Sequence, residues 1–234
     1  GIGTILETLK EEGELDNSYI FFLSDNGACA EDRDLLDRVF RINTSARPAG
    51  DSLSWQSYEA PWANVSNTPF RLYKSYLEEG GIATPFIAFN KSHIPPGTST
   101  SFAGHLIDFM PTVLEIAGAK YPEYFNNHKI LKEEGKSLVP VFKKALHKQN
   151  RYLFWEHEGN KAVRYGDWKL VKQHQKPWQL FHLKKDPAEL LDVSEKHKKL
   201  VNTLIDAHKK WEQRCGVLDW GPDMLQRWED RIKE

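Results

Sequence analysis

An acidic and an amide side chain stand next to each other at Asp25 and Asn26, in a Ser-Asp-Asn-Gly run that ends at Gly27. Carboxylate and amide oxygens are suitable ligands for a hard divalent cation such as Ca²⁺ or Mg²⁺. The same residue types are ordinary turn residues, so a turn that closes a strand is the alternative interpretation. The pair therefore raises the hypothesis of a metal site, which other segments of the chain must support.

The segment before this pair indicates its place in a fold. Residues 19–23 are almost entirely apolar, as in a buried strand of a parallel sheet. Asp25 and Asn26 would then lie at the carboxyl edge of an α/β sheet, where ligands and catalytic groups gather.

A lysine and a glycine pair form a second candidate segment further along the chain. Lys74 precedes Glu79, Gly80 and Gly81, and we expect a short helical turn over residues 72–79. A glycine pair lets the backbone approach a ligand closely, and a lysine can place a compact positive charge on an anion. A lysine that is simply solvated is the alternative interpretation.

Composition limits the class of protein. The chain has 234 residues, 40% of them hydrophobic and 28% charged, which is enough for one large globular domain or a domain and a half. The balance of 32 basic and 33 acidic residues gives no positive field to attract nucleic acid or an anionic membrane. No apolar run approaches the length of a transmembrane helix. We therefore expect no nucleic acid and no membrane among its partners.

Hydrophobic periodicity predicts the order of the elements. In the first part we expect helices over 2–12 and 105–118 and strands over 19–24 and 84–89. This alternation favours a mostly parallel sheet with helical crossovers. Later in the chain, turn signals separate four short strands, predicted over 151–156, 161–165, 168–172 and 179–183. A helix over 194–214 carries an apolar stripe that could cover one face of that antiparallel sheet.

The predicted fold class is therefore α/β, with two domains. Residues 1–150 would form part of an α/β domain, incomplete because its first strands are missing. Residues 151–234 would form a small antiparallel subdomain with a long helix.

Several sequence blocks follow one another in a distinctive order: SDNG at 24–27, K-x-x-x-x-E-G-G-I-x-T-P at 74–85, H-x-I-D-x-x-P-T-x-L-x-x-A-G-A at 105–119, GKSL at 135–138, LFWEHEGNKAVRYGDWKLV at 153–171, WQLFHLKKDPAELLDV at 178–193 and GVLDW at 216–220. In this order the chain resembles the sulfatase family of the alkaline-phosphatase-like superfamily, and bacterial arylsulfatase-like enzymes in particular. The resemblance covers nearly the whole chain. It implies a mostly parallel mixed sheet with helices on both faces.

The resemblance implies a sulfuric ester hydrolase that acts on a sulfated small molecule or a sulfated glycan. Asp25 and Asn26 would supply two oxygen ligands of a Ca²⁺ ion, with Mg²⁺ as the alternative, and Lys74 would contact the sulfate oxygens. A formylglycine nucleophile would attack sulfur while the metal and nearby cations neutralise charge on the transferring group. A periplasmic or secreted location follows from the family alone.

The chain departs from the family at the nucleophile. The C/S-x-P-S/A-R motif does not occur, since neither Cys29 nor Cys215 is followed by the required proline and arginine. The helical pattern that begins at Gly1 suggests a start inside a fold, so we expect a missing N-terminal half to supply the formylglycine. Two ligands would bind Ca²⁺ weakly, because the ion takes six to eight oxygens. We therefore expect this chain to be inactive on its own.

Further side chains are candidates for substrate contact. Trp155, His157 and Glu158 combine aromatic and polar groups that can grip a sugar or an aryl ring, with core or turn packing as the alternative. Three aromatic residues lie in a long polar segment over 31–66 and could form a lid or specificity wall, with anchoring of the loop as the alternative: Trp55, Tyr58 and Trp62.

Four residues with reactive or polar side chains are assigned structural roles. Cys29 lacks the motif of a nucleophile and is expected to be packed. His105 and Asp108 are expected to cap the helix that follows them, and Arg164 is expected to be structural.

Two other functions stay open. A phosphodiesterase or phosphonate-ester hydrolase of the same superfamily is the first; relatives with two zinc ions tend to place histidine where Asn26 stands, because zinc favours nitrogen ligands. The second is a non-catalytic binding protein derived from a sulfatase, which the absent nucleophile would fit.

Overall fold

The structure, a computed structural model, describes residues 1–31, 48, 50–52, 54, 57, 59–144, 150–221 and 223. Helices and short strands alternate in the first part, and an antiparallel sheet with a long helix follows. This content confirms the α/β class. Contacts divide the chain into two units, residues 1–23 with 86–150 and residues 24–85 with 151–234. The domain division predicted from the sequence stays a prediction.

Two helices, Ile2–Glu11 with 10 residues and Lys198–Cys215 with 18, are the longest described elements, and all the others are shorter. In chain order the helices are α1 (Ile2–Glu11), α2 (Glu59–Asn67), α3 (Glu79–Ile82), α4 (Phe109–Ala117), α5 (Val139–Phe142) and α6 (Lys198–Cys215). The strands are β1 (Ile20–Leu23), β2 (Phe86–Phe89), β3 (Tyr124–Phe125), β4 (His128–Lys129), β5 (Tyr152–His157), β6 (Asn160–Tyr165), β7 (Trp168–Lys172) and β8 (Gln179–His182). Single 3-10 turns cover Leu15–Asn17, Leu106–Asp108 and Ser194–His197.

Strands β1 and β2 form an antiparallel pair in the first unit, with Ile20 opposite Phe89 and Leu23 opposite Phe86. The expectation of a parallel relation between these strands is therefore wrong. The apolar pattern predicted both strands but did not indicate whether they pair in a parallel or an antiparallel way.

The same strands are less buried than their apolar sequence predicts. Phe22 and Ile87 are exposed. Aromatic packing involves Phe21, whose ring lies 5.8 Å from the rings of both Phe109 and Phe142. Within the described residues, the packing on this strand pair is therefore an aromatic cluster around one side chain rather than a fully enclosed sheet.

Helix α4 begins at a polar cap. Asp108 is completely buried, and its carboxylate accepts hydrogen bonds from the backbone N–H groups of His105 at 2.9 Å and Lys136 at 2.9 Å. The ring of His105 in turn accepts from the N–H of Ile107. These reciprocal bonds form a capping box. His105 therefore caps the 3-10 turn that precedes α4, whereas Asp108 stands at the N-cap of α4 without a side-chain bond to that helix.

The second unit is built on the antiparallel sheet β5-β6-β7-β8. Alternation along its strands gives two faces. One face buries Val163, Leu170 and Leu180 against Leu204 of α6. The four strands and the long helix predicted from the sequence are therefore confirmed.

The opposite face of this sheet receives the segment that contains Lys74. Leu77 is buried there with Val171 and Phe181, and Ile82 packs against them. The short helix in this segment, α3, begins only at Glu79, so the expected turn over 72–79 is wrong. The two glycines lie within α3 rather than after it, because close backbone packing compensates for their low helix propensity.

No helix in the described part of the chain is both long enough and apolar enough to cross a membrane.

Replacement of Leu204 tests the packing of α6. Leu204 is fully buried, so Leu204→Ala should lower the free energy of unfolding by about 2–5 kcal/mol through lost burial and a residual cavity. The neighbouring exposed Thr203→Ala is the matched control and should change it by less than about 0.5 kcal/mol. Urea unfolding followed by circular dichroism measures both. Equal effects of the two substitutions would contradict the packing described.

Candidate active site

The loop that carries Asp25 and Asn26 is held by backbone bonds to α3. Asp25 is exposed and Asn26 is partly buried. Directly after them, the N–H of Gly27 donates to the carbonyl of Gly81 at 2.9 Å. The loop is therefore positioned by its contact with the glycine pair, and the two candidate metal ligands stand at its accessible end.

Three glycines allow this contact. A Cβ atom on Gly27 would lie 1.8 Å from the carbonyl oxygen of Gly80. A Cβ on Gly80 would lie 2.2 Å from the oxygen of Arg71, and one on Gly81 would lie 2.0 Å from the oxygen of Tyr76. Real side chains do not approach backbone oxygen so closely, so all three positions require glycine.

The backbone of Lys74 is tied to the same loop. Its N–H donates to the carbonyl of Ala28 at 3.1 Å. The side chain of Asn67 bridges the two segments, accepting from the N–H of Ala28 at 3.0 Å and donating to the carbonyl of Leu72 at 2.9 Å. Leu72 and Ser75 both have positive φ angles, of 62° and 78°. The turn around Lys74 is thus strained and held by its contacts.

The ammonium group of Lys74 binds a carboxylate. Its Nζ donates to Oε1 of Glu31 at 2.8 Å, and this bond raises the pKa of Lys74. Burial opposes the increase, while the negative charge of Asp25 acts in the same direction as Glu31. The lysine is therefore fully protonated, and Asp25 is close enough to influence it.

A small open cavity of about 140 Å³ adjoins this ion pair. Its lining residues are Ala30, Glu31, Tyr73, Lys74, Ser75 and Tyr76. The rings of Tyr73 and Tyr76 meet edge to face, with centroids 5.3 Å apart. The cavity thus combines the Lys74–Glu31 ion pair with the aromatic rings of Tyr73 and Tyr76.

Cys29 lies beside this ion pair. Its side chain is partly buried and forms no disulfide. A hydrogen bond from Cys29 helps lower the pKa of Glu31, after the larger effect of Lys74 and against the effect of burial. The structural role expected for Cys29 stays a prediction, and its contact with Glu31 gives it a defined partner.

The β5–β6 hairpin adjoins the Lys74 turn. Glu158 and Gly159 form its two-residue turn, with φ angles of 52° and 77°, as in a type I′ hairpin. Asn160 donates from its amide to the carbonyl of Ser75 at 3.1 Å. The structure therefore brings the hairpin and the residue after Lys74 together.

The three predicted contact residues of this hairpin differ in environment. His157 and Glu158 are half exposed, with Nε2 and Oε2 4.0 Å apart. Trp155 instead packs against the core cluster that contains Leu77 and Phe181. His157 and Glu158 are thus accessible, whereas Trp155 is engaged in packing. Their roles in substrate contact stay predictions.

A buried ion cluster anchors α3 to the sheet. Lys169 of β7 is fully buried, and its Nζ lies 2.7 Å from Oε1 of Glu79 and 3.0 Å from Oε1 of Glu189. The other oxygen of Glu189 accepts from the backbone N–H of Glu79 at 2.6 Å. Analysis of the sequence missed this cluster. The alternation of β7 places Lys169 on the same face as Val171, which was the available signal.

A second buried acid lies next to this cluster. Glu78 accepts hydrogen bonds from Gln173 at 3.0 Å and from Arg71 at 3.4 Å. Arg71 also donates to Gln179 at 3.1 Å and lies over the ring of Phe181. Arg164, expected to be structural, donates to the carbonyl of Gly166 and lies 4.0 Å from Glu79.

Two family models and several known proteins match this chain. The sulfatase family model matches residues 1–119, and the model described as N-sulphoglucosamine sulphohydrolase, C-terminal, matches residues 70–214. The chain belongs to the sulfatase family. An uncharacterised sulfatase of Schizosaccharomyces pombe is 30% identical over 96% of this chain and 43% of its own length. An arylsulfatase of Klebsiella aerogenes is 34% identical over 50% of this chain and 26% of its own length.

Solved structures agree with this membership. Ps i-CgsB, crystallised in complex with k-i-k-neocarrahexaose, superposes with a TM-score of 0.68 at 26% identity, covering 97% of this chain and 44% of that one. BT4656, in complex with its substrate D-glucosamine-2-N,6-O-disulfate, superposes with a TM-score of 0.57 at 21% identity, over 91% and 37%. The latter likeness concerns the fold alone. The chain thus spans less than half the length of the sulfatases and structures compared here, and its alkaline-phosphatase-like fold is confirmed.

The candidate ligands Asp25 and Asn26 fit a hard cation in chemical type. Sulfatases generally use a metal ion and a formylglycine. Asp25 and Asn26 supply a carboxylate and an amide oxygen, which are ligands for Ca²⁺ or Mg²⁺. Within the described ranges, no group of three or more His, Cys, Asp or Glu side chains could hold a metal. The pair therefore fits as part of a coordination shell and does not complete one.

The candidate lid lies mostly outside the described residues, since Trp55 and Tyr58 are not among them. Trp62 is described and lies exposed on α2. Its role as lid or anchor stays a prediction.

Gly27→Ala tests the close packing of the loop on α3. A methyl group at Gly27 must displace the backbone of Gly80, so the free energy of unfolding should fall by about 1–3 kcal/mol. Gly3→Ala on α1 is the control, because no atom lies within 4 Å of its added methyl group, and it should increase stability by about 0.5–1 kcal/mol. Thermal unfolding compares the two. A neutral Gly27→Ala would contradict the proposed contact.

Proposed function

We propose that this chain forms the metal and sulfate-binding part of a sulfatase that hydrolyses sulfate esters of aryl or sugar substrates. The observation that carries the proposal is the coupling of two backbone segments. Lys74 binds Ala28 through its N–H, and Gly27, next to Asn26, binds Gly81. A cation-binding loop and a lysine held together in this way could position one anionic group between them.

Each residue would have a separate task. Asp25 and Asn26 would hold the cation, proposed as Ca²⁺ with Mg²⁺ as the alternative, which would neutralise charge on the sulfate. Lys74 would contact sulfate oxygens and stabilise the charge that develops in the transition state. The nucleophile would be a formylglycine from the part of the protein that relatives carry and this chain does not match.

The substrate class proposed is a sulfated glycan or a sulfated small molecule. His157 and Glu158 are half exposed on a hairpin that bonds to the turn of Lys74, where they could bind the ring that carries the sulfate. The k-i-k-neocarrahexaose bound to Ps i-CgsB supports this class. A periplasmic or secreted location is proposed from the family alone.

Turnover by the full-length protein that contains this chain tests the proposed function. Wild-type protein should hydrolyse an aryl sulfate, and Lys74→Ala should lower kcat/KM by about 100-fold or more, since it removes a charge from the transition state. Lys91→Ala is the control, because Lys91 is exposed and pairs with Asp16. Residues 1–234 alone should show no turnover above their own Lys74→Ala variant.

Three results would contradict the proposal. Hydrolysis of phosphate diesters or phosphonate esters in preference to sulfate would indicate another enzyme of the superfamily. Binding of sulfated ligands without turnover would indicate a non-catalytic protein. Unchanged activity of Lys74→Ala would exclude the role assigned to that lysine.

Glu31→Gln tests whether Glu31 competes with sulfate for Lys74. The carboxylate of Glu31 binds the ammonium group at 2.8 Å, so its removal should let inorganic sulfate bind up to about fivefold more tightly, as expected for a partly exposed ion pair worth about 0.2–1 kcal/mol. The inhibition constant of sulfate in the aryl sulfate assay measures this. Asp16→Asn, which breaks the pair with Lys91, should leave the constant unchanged. Weaker sulfate binding by Glu31→Gln would show that Glu31 supports the site instead.

A further inference from the structure

Lys169 is an unusual residue for the centre of an antiparallel sheet. It is completely buried on β7, opposite Phe181 of β8, and shares a sheet face with the core residue Val171. Lysine is almost never fully buried unless it is paired, because loss of hydration disfavours an isolated charge. Its position therefore calls for an explanation in terms of its partners.

Those partners are two carboxylates that converge from distant parts of the second unit. Lys169 Nζ lies 2.7 Å from Glu79 and 3.0 Å from Glu189. Burial raises the pKa of Glu189, and the nearby charge of Glu79 adds to this, while Lys169 opposes both. Glu189 also has a φ of 56°, a costly conformation for a residue with a side chain. The lysine thus holds together two acids that would otherwise repel each other.

A short series of backbone contacts connects this ion cluster with the candidate active site. Glu79 is the first residue of α3, and Gly80 and Gly81 follow it. The carbonyl of Gly81 accepts from Gly27, which follows Asn26. A displacement of Glu79 would therefore be transmitted through a few backbone atoms to the loop of Asp25 and Asn26.

Helix α3 cannot hold this position by itself. It has four residues, two of which are glycines. Glycine lowers helix stability, and a helix this short is not stable alone. An apolar residue in place of Lys169 could fill the core at less desolvation cost, but it could not form directed bonds to the acid that opens α3.

We propose that Lys169 is a positioning residue, which fixes α3 through Glu79 and thereby holds the Asp25–Asn26 loop and Lys74 in the arrangement needed for catalysis. The inference rests on the proposed sulfatase function of this site. Lys169 touches neither substrate nor metal in this role. Its effect would pass through Glu79 and the glycine pair.

The test uses the full-length protein that contains this chain. Lys169→Met keeps an unbranched side chain, one heavy atom shorter, and removes its charge. We expect kcat for an aryl sulfate to fall by about 10- to 100-fold, as for a small misplacement of catalytic groups. Amide hydrogen exchange should accelerate in peptides covering residues 25–29 and 72–82, and not in α6.

Two further variants separate positioning from packing. Lys172→Met is the matched control, because Lys172 lies on the same strand with its ammonium group over Trp178, and it should change neither readout. The double variant Lys169→Met/Glu189→Gln removes the unbalanced charge and leaves Glu79 near Arg164. It should keep the fast exchange and the low kcat of Lys169→Met, because the bond from β7 to Glu79 is still missing, and recovery of both would overturn the proposal.

The kinetic and exchange results distinguish a positioning role of Lys169 from a role in packing alone. A Lys169→Met protein with lower thermal stability but unchanged kcat and unchanged exchange at residues 25–29 and 72–82 would overturn the proposal. If Lys169→Met does not fold, Glu79→Ala replaces it, since that variant removes the acceptor on α3 and leaves Lys169 paired with Glu189. Unchanged kcat and exchange in Glu79→Ala would then overturn the proposal.

The exchange measurement keeps the two hypotheses separate. Absence of turnover in the wild-type protein would remove the proposed sulfatase function and, with it, the catalytic role of Lys169. Exchange that nevertheless accelerates only in the variants of the ion cluster would show that Lys169 positions the loop in a protein of another function.

Discussion

The contact of one buried ammonium group with two carboxylates sets the position of much of the second unit. Lys169 joins β7 to Glu79 at the start of α3 and to Glu189 beyond β8. Such a cluster contributes little net stability compared with an apolar core, because three charged groups lose their hydration. Its value lies in direction: the bonds specify one arrangement of α3 on the sheet, whereas the surrounding apolar contacts would tolerate several.

Close backbone packing at three glycines connects α3 with the candidate active site. Gly27 and the pair Gly80–Gly81 bring three backbone segments closer than any side chain would allow. The loop of Asp25 and Asn26 and the turn of Lys74 consequently share hydrogen bonds instead of merely facing each other. Rigid placement of this kind suits a site whose task is to hold a charged group, since misplacement by about 1 Å can cost about 100-fold in rate.

Local sequence patterns predicted many elements because their causes are local. Alternating side chains and turn residues identify β5 to β8, and an apolar stripe identifies α6. The antiparallel direction of β1 and β2 and their incomplete burial could not be predicted in this way, because both depend on contacts between residues that are distant in the chain. The engagement of Trp155 in the core likewise depends on Leu77, which comes from a distant segment.

By itself, the sequence determined the residue types available for chemistry: the oxygen donors Asp25 and Asn26, the cation Lys74 and the glycines that must lie near them. Their order also indicated the sulfatase family, whose model matches residues 1–119. Only the tertiary structure decided that Lys74 binds Glu31 and that Lys169 is buried against Glu79, 90 residues away in the chain. The physical reason is that such pairings depend on which distant segments pack together in the folded chain. The local periodicity of apolar and polar residues carries no information about them.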